Sequence, residues 1–223
     1  MPDQLNIAVF ASGKGSNFKA ILEAIKTGKI QNAQIVLVVS NNSDAGAIDL
    51  ARENNIPALH INRKQFETDE DFNSTLTSSL EKHCVNFIAL AGYMKKIDPT
   101  IVRAFKNRIV NIHPALLPKF GGSGMYGMHV HEAVIESKEK ISGASVHIVD
   151  EEYDNGPVVL QATIPVEVND TPSTLAARVL KVEHEIYPEA IRLFSEGRII
   201  VDGRKIIITK TEVKELKDEF DSN

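Results

Sequence analysis

The stretch "LNIAVFASGKGSNFKAILEAIKT", residues 5–27, decides the fold. Its first eight residues are almost continuously apolar, as in a strand covered on both faces, and from Asn17 onward the apolar positions recur with the helical period. Gly13, Gly15, Ser16 and Asn17 form the turn between them. A strand that passes through a glycine turn straight into a helix opens a β-α-β unit, which implies right-handed crossovers and a parallel sheet. Backbone N–H groups at such a helix start, together with the helix dipole, favour an anion, and phosphate is the natural candidate. The plainer reading is that the glycines only permit a tight turn.

The same turn excludes two nucleotide signatures. A dinucleotide fingerprint requires glycine or alanine where Phe18 stands and an acidic residue closing the second strand, where the chain has Ser40-Asn41-Asn42. A Walker loop fails because Gly13-Lys14 is followed by Gly15 instead of Ser or Thr.

Working outward, the alternation continues. Strands are expected at residues 5–12, 34–40, 58–61, 86–92 and 108–112, and helices at 17–27, 44–54 and 69–82, the last two opening on an aspartate suited to N-capping. After Ser142 the pattern changes: segments 143–149 and 157–166 are separated by a short link, so an antiparallel addition at the sheet edge is expected. Residues 171–197 read as one long helix capped by Thr171, with Pro172 in its first turn, a kink at Tyr187-Pro188 and a stop at Gly197. Residues 199–208 read as a hairpin turning at Asp202-Gly203. The expected class is α/β, a three-layer Rossmann-like fold whose mostly parallel sheet carries an antiparallel C-terminal addition and a long C-terminal helix. Residues 1–209 are expected to form a single domain and 210–223 a charged, solvated tail.

Composition narrows the function. With a formal net charge of -5 the chain has no basic field for nucleic acid, and no apolar run approaches the roughly 18 residues of a membrane span. The N-terminus has no basic segment before its short apolar run, so a cytoplasmic location is expected. Cys84 is the only cysteine, which excludes an intramolecular disulfide and any multi-cysteine zinc site; its apolar flank suggests core packing.

Three of the seven histidines fall in "VNIHPALLPKFGGSGMYGMHVHEAV", residues 110–134. Asn111 and His113 are two apart at the end of an expected strand, so both leave the same face while Ile112 points to the core. An amide donor and an imidazole then converge at the carboxyl end of the sheet, an arrangement that suits stabilising an oxyanion and moving a proton, as acyl transfer to an amine requires. A zinc reading would use His129, His131 and His113, but no carboxylate beyond Glu132 completes such a site, so no metal is expected. A carboxylate should orient the imidazole; Asp154 leads by its place in a turn before a buried strand, and Asp150, Glu151 and Glu152 compete. No G-x-S-x-G elbow exists, which speaks against a serine hydrolase.

The ordered series "SGKGSN", "SNNSDAGAIDLA", "LAGYMKKI", "NIHPALLPKF", "ASVHIVDEEYDNGPVVLQ" and "EHEIYP" resembles the phosphoribosylglycinamide formyltransferases, 10-formyltetrahydrofolate-dependent enzymes of purine biosynthesis, from about Asn6 to Gly203. The resemblance implies formyl transfer from 10-formyltetrahydrofolate, a cosubstrate, to the glycyl amine of glycinamide ribonucleotide, without a metal. Gly15, Ser16 and Asn17 would hold the substrate phosphate, Glu183 would bind the ribonucleotide, and His129 would be a further substrate contact. Met94, Lys95, Lys96 and Ile97 would line the folate pocket together with Asn111. Asn111, His113 and Asp154 would be the catalytic trio, with Asp154 orienting His113 and raising its pKa.

Two departures from the family pattern stand out. Asp69 occupies a position where the family often has an arginine for the folate tail, so that contact is either absent or supplied elsewhere, with Lys64 a candidate, and the glycine loop 120–128 is longer than in the shorter members. The implied partners are small molecules, a phosphorylated ribonucleotide and a folate, acting on a monomer or homodimer with no nucleic acid and no membrane. The rivals are a formyltetrahydrofolate hydrolase, which the early first strand disfavours because those proteins carry an N-terminal regulatory domain, and a methionyl-tRNA formyltransferase, which the acidic charge and short tail disfavour. From a different class comes a non-catalytic module binding a phosphate ligand.

Overall fold

The computed structural model describes residues 3–210. Strands β1 (Leu5–Phe10), β2 (Ala33–Ser40), β3 (Ala58–His60), β4 (Phe87–Leu90), β5 (Ile109–His113), β6 (Ile141–Ile148) and β7 (Val158–Pro165) form one sheet in the order β3-β2-β1-β4-β5-β6-β7. The first five run parallel, and β6 and β7 add to the edge antiparallel. The helices are α1 (Ser16–Lys26), α2 (Gly46–Glu53), α3 (Asp69–Lys82), α4 (Pro99–Ala104), α5 (Met128–Glu136) and α6 (Pro172–Ser195); a hairpin of β8 (Ile199–Asp202) and β9 (Lys205–Ile208) stands outside the sheet. Among the described residues no helix is long and apolar enough to cross a membrane.

Three layers follow from the period of two along each strand. In β1, Ile7 and Val9 enter a core shared with Phe18 and Ile21 of α1 and with Val179, Tyr187 and Ile191 of α6. Ala8 and Phe10 point to the opposite face, where Leu76 and Leu80 of α3 and Ile101 of α4 cover them. Because β1 is flanked by β2 and β4, the chain reverses its winding there, and the carboxyl ends of β1 and β4 open a crevice at that switch.

Capping differs from expectation. Asp44 lies outside α2, whose start after Ala45 has no side-chain cap. Asp69 is already inside α3: Thr68, in extended backbone, caps that helix by accepting the Asp71 N–H at 3.0 Å. The three acids that follow, Asp69 to Asp71, occupy the first turn, where the helix dipole favours them. Thr171 does cap α6, accepting the Thr174 N–H at 3.2 Å, and the helix continues unbroken through Pro188. Cys84 is not a core residue; it is exposed in the turn between α3 and β4, with a left-handed φ of 51°. The expected hairpin is present, while the tail beyond Lys210 lies outside the described residues.

Tyr187, fully buried on α6, has its hydroxyl 3.0 Å from the Leu90 carbonyl oxygen and 3.1 Å from that of Val110. It thereby fixes the last residue of β4 and the residue before Asn111 in β5 against the helix.

Candidate active site

A cavity of about 570 Å³ opens at the carboxyl ends of β4 and β5. Asn111 and His113 reach it from β5, Asp154 from the β6–β7 connection, Met94, Lys95, Lys96 and Ile97 from the loop after β4, and Glu183 from α6. A second cavity of about 240 Å³ is bounded by residues 12–17, Ala91, Gly92 and Met94. Asn17, Gly92 and Met94 line both.

The smaller cavity follows directly from the glycine turn. Gly15 precedes α1 at φ 77°, and a Cβ there would lie 3.0 Å from both Cα and Cβ of Ala47, so the turn requires glycine on two counts. No side-chain cap bond closes the start of α1, which leaves first-turn N–H groups to face an anion. The Asn17 side chain is committed elsewhere: its Nδ2 donates to Glu183 Oε2 at 2.6 Å in a buried pair 166 positions apart. Burial raises the pKa of Glu183 while the Asn17 bond lowers it, and the net shift is upward.

At the larger cavity, His113 is buried and its Nε2–H donates to the Phe120 carbonyl at 2.7 Å. Its Nδ1 faces Asp154 Oδ2 at 3.6 Å, an ion-pair separation too long for a direct hydrogen bond. Burial lowers the His113 pKa and outweighs the opposing pull of the Asp154 carboxylate, so the imidazole is held neutral, contrary to the expected rise. Asp154 itself sits at a left-handed φ of 51° and accepts the Gly122 N–H at 2.9 Å. Burial alone would raise its pKa; the contacts with His147, His113 and Gly122 together bring it below the usual carboxylate value.

Two further side chains, given no role by the sequence reading, support the site. His147 lies opposite Asn111 in the antiparallel β5–β6 ladder and is buried. Its Nδ1–H donates to the Ile148 carbonyl at 2.9 Å, so Nε2 takes the Asn111 amide N–H at 3.1 Å and stands 3.4 Å from Asp154 Oδ1. Ser145, opposite His113, accepts the Leu117 N–H at 3.0 Å and donates to the Ala115 carbonyl at 2.6 Å, which fixes the chain leaving His113. Both lie within the stretch ASVHIVDEEYDNGPVVLQ, but it is the antiparallel register that sets them opposite Asn111 and His113.

The remaining candidates divide. Met94 to Ile97 all line the larger cavity, with Ile97 buried and Met94 exposed. His129 is exposed beside the Tyr126 ring and does not line the cavity; His131, two residues on, is buried and does. At the expected folate-tail position, Asp69 is paired with Arg63, which also donates to the Phe66 carbonyl at 2.7 Å.

A sequence model of the family described as "Formyl transferase" matches residues 5–191. The chain is 46% identical over 199 residues to a chloroplastic phosphoribosylglycinamide formyltransferase of Arabidopsis thaliana, covering 89% of this chain and 68% of that protein. It superposes with a TM-score of 0.87, at 38% identity, on a glycinamide ribonucleotide transformylase 1 from Symbiobacterium toebii, covering 93% of this chain and 95% of the other. A formyltetrahydrofolate deformylase from Pseudomonas syringae shares the fold at TM-score 0.84 but only 22% identity, covering 93% of this chain and 67% of that one.

Proposed function

This chain belongs to the phosphoribosylglycinamide formyltransferase family, within the formyl transferases, and from that premise we propose that it moves the formyl group of 10-formyltetrahydrofolate onto the glycyl amine of glycinamide ribonucleotide. The observation that carries this reading is a pair of adjoining cavities: the turn at residues 12–17, suited to an anion, shares Asn17, Gly92 and Met94 as walls with the space bounded by Asn111, His113 and Asp154. A ribonucleotide phosphate in the first would leave its glycyl end in the second, and the folate would lie along residues 94–97.

The reaction is assigned to the residues as follows. The neutral glycyl amine attacks the formyl carbon, and the carbonyl electron pair moves to oxygen. Asn111 gives one amide proton to His147 and has the other for that oxyanion. His113, neutral in the free protein, takes a proton from solvent at Nδ1 opposite Asp154 before the attack, the carboxylate stabilises the imidazolium so formed, and that proton returns to solvent after the products leave. Its Nε2–H reaches the oxyanion when released from Phe120. Collapse breaks the bond from carbon to the folate nitrogen, which takes up the proton that the attacking amine sheds.

The test is direct. Purified protein with both substrates should form the N-formyl ribonucleotide stoichiometrically with folate deformylation. Release of formate without need of the ribonucleotide would instead support a hydrolase, and neither product would leave a phosphate-ligand binding module.

A further inference from the structure

We propose that Ser12 is a coupling residue, through which occupation of the ribonucleotide's anion turn and occupation of the folate loop strengthen one another. The inference rests on the proposed reaction and adds to it a residue that lines no reacting centre.

Three segments meet at this one side chain. Ser12 lies two residues beyond β1 and begins the turn that bounds the smaller cavity. Its backbone N–H donates to the Gly92 carbonyl at 3.0 Å, and its Oγ accepts the Met94 N–H at 2.9 Å, so two bonds from one residue clamp residues 92–94 of the loop after β4. The hydroxyl proton goes the other way, to Asn41 Oδ1 at 2.5 Å in the loop after β2. That loop is itself held, since Asn62 Nδ2 donates to the Asn41 carbonyl at 2.7 Å. The Ser12 oxygen is therefore oriented: the amide oxygen of Asn41 can only accept, which turns a lone pair toward Met94.

The position of the clamp gives it a consequence. Gly92 and Met94 are walls of both cavities, and Gly92 holds a left-handed φ of 80°. An anion that orders residues 13–17 orders Ser12 with them, and so presents Met94 already placed for the folate. Conversely, a folate that fixes residues 94–97 fixes the oxygen at the head of the anion turn. Each ligand meets a site whose ordering the other has already supplied, which is positive cooperativity by shared conformational entropy, and the effect must be reciprocal.

The experiment is a calorimetric titration of glycinamide ribonucleotide with and without saturating 5,8-dideazafolate, which carries no formyl group to transfer. In the unaltered protein the folate analogue should tighten ribonucleotide binding by a factor of about 5 to 50, within the usual span of coupling between sites. In Ser12→Ala that factor should fall to within about twofold of unity, whatever the variant's affinity for the ribonucleotide alone. Ser12→Thr, which keeps the hydroxyl, should retain the coupling, and Asn41→Ala, which frees the hydroxyl to rotate, should reduce it by an intermediate amount. Coupling that persists in Ser12→Ala, or that is absent from the unaltered protein while both ligands bind, overturns the inference alone. Failure of the unaltered protein to bind either ligand overturns the proposed reaction and this inference with it.

Discussion

At the scale of the residue, the site depends on where each proton can reside. His113 is neutral because burial opposes its charge, and Asp154 waits at 3.6 Å as a carboxylate whose pKa is depressed. Replacing Asp154 by Asn removes the stabilisation of the imidazolium, and His113→Ala removes the imidazole; each should lower kcat by about 10²–10³ with ribonucleotide affinity retained, measured by steady-state kinetics and titration calorimetry. His147→Gln tests a different link. It disturbs the nitrogen that orients the Asn111 amide, and should lower kcat about tenfold without raising KM for the ribonucleotide. The pairing of Asn111 with His113 was legible, since two positions along a strand always share a face. His147 was not, because the residue opposite Asn111 is set by cross-strand register, and His131 displaced His129 from the cavity wall because helix rotation, not spacing, decides which of two nearby histidines turns inward.

At the scale of the element, the glycine loop after Phe120 packs as part of the site. Gly122 donates to Asp154, and a Cβ on Gly121 would fall 2.5 Å from Leu117 Cδ2 and 3.1 Å from Asp154 Cβ. Gly121→Ala should therefore displace the carboxylate by tenths of an ångström and cost about tenfold in kcat, while the melting temperature changes little because the leucine tip can yield. Helix α6 offers the contrasting case. Thr171→Ala removes its N-terminal cap, far from the chemistry, and should cost about 1 kcal/mol, or roughly 2–4 °C in Tm by calorimetry, with kinetics unaltered. The long elements could be read because their period repeats over several turns. Helix α4, six residues long, repeats too little to announce itself; the cap of α3 differs from expectation because neighbouring Thr68 and Asp69 are equally able and only the extended backbone at Thr68 selects between them, whereas α2 starts after Ala45 with no side-chain cap at all.

At the scale of the whole molecule, folding neutralises histidines, and stability should record it. Burial lowers the pKa of His113, His131 and His184. Below about pH 6.5 the unfolded chain binds protons there that the folded chain refuses, so stability must fall as pH drops from 6.5 toward the folded-state values. Glu183 acts in the opposite sense, since its raised pKa costs stability as pH climbs above 4.5. A difference measurement isolates the histidine part: urea unfolding at pH 7.5 and 5.5 should show a smaller loss in His184→Gln than in the unaltered protein, and an equal loss would refute this account. The alternation of strand and helix, the glycine turn and the shared face of Asn111 and His113 were determined by the sequence itself, because each is a periodicity or a steric need felt within a few residues. The tertiary structure alone decided that Asn17 meets Glu183 across 166 positions, that His147 supports Asn111, and that Ser12 joins two cavities. Those contacts arise where separately legible elements dock, and docking is fixed by the packing of the two cores on either side of the sheet rather than by any local pattern.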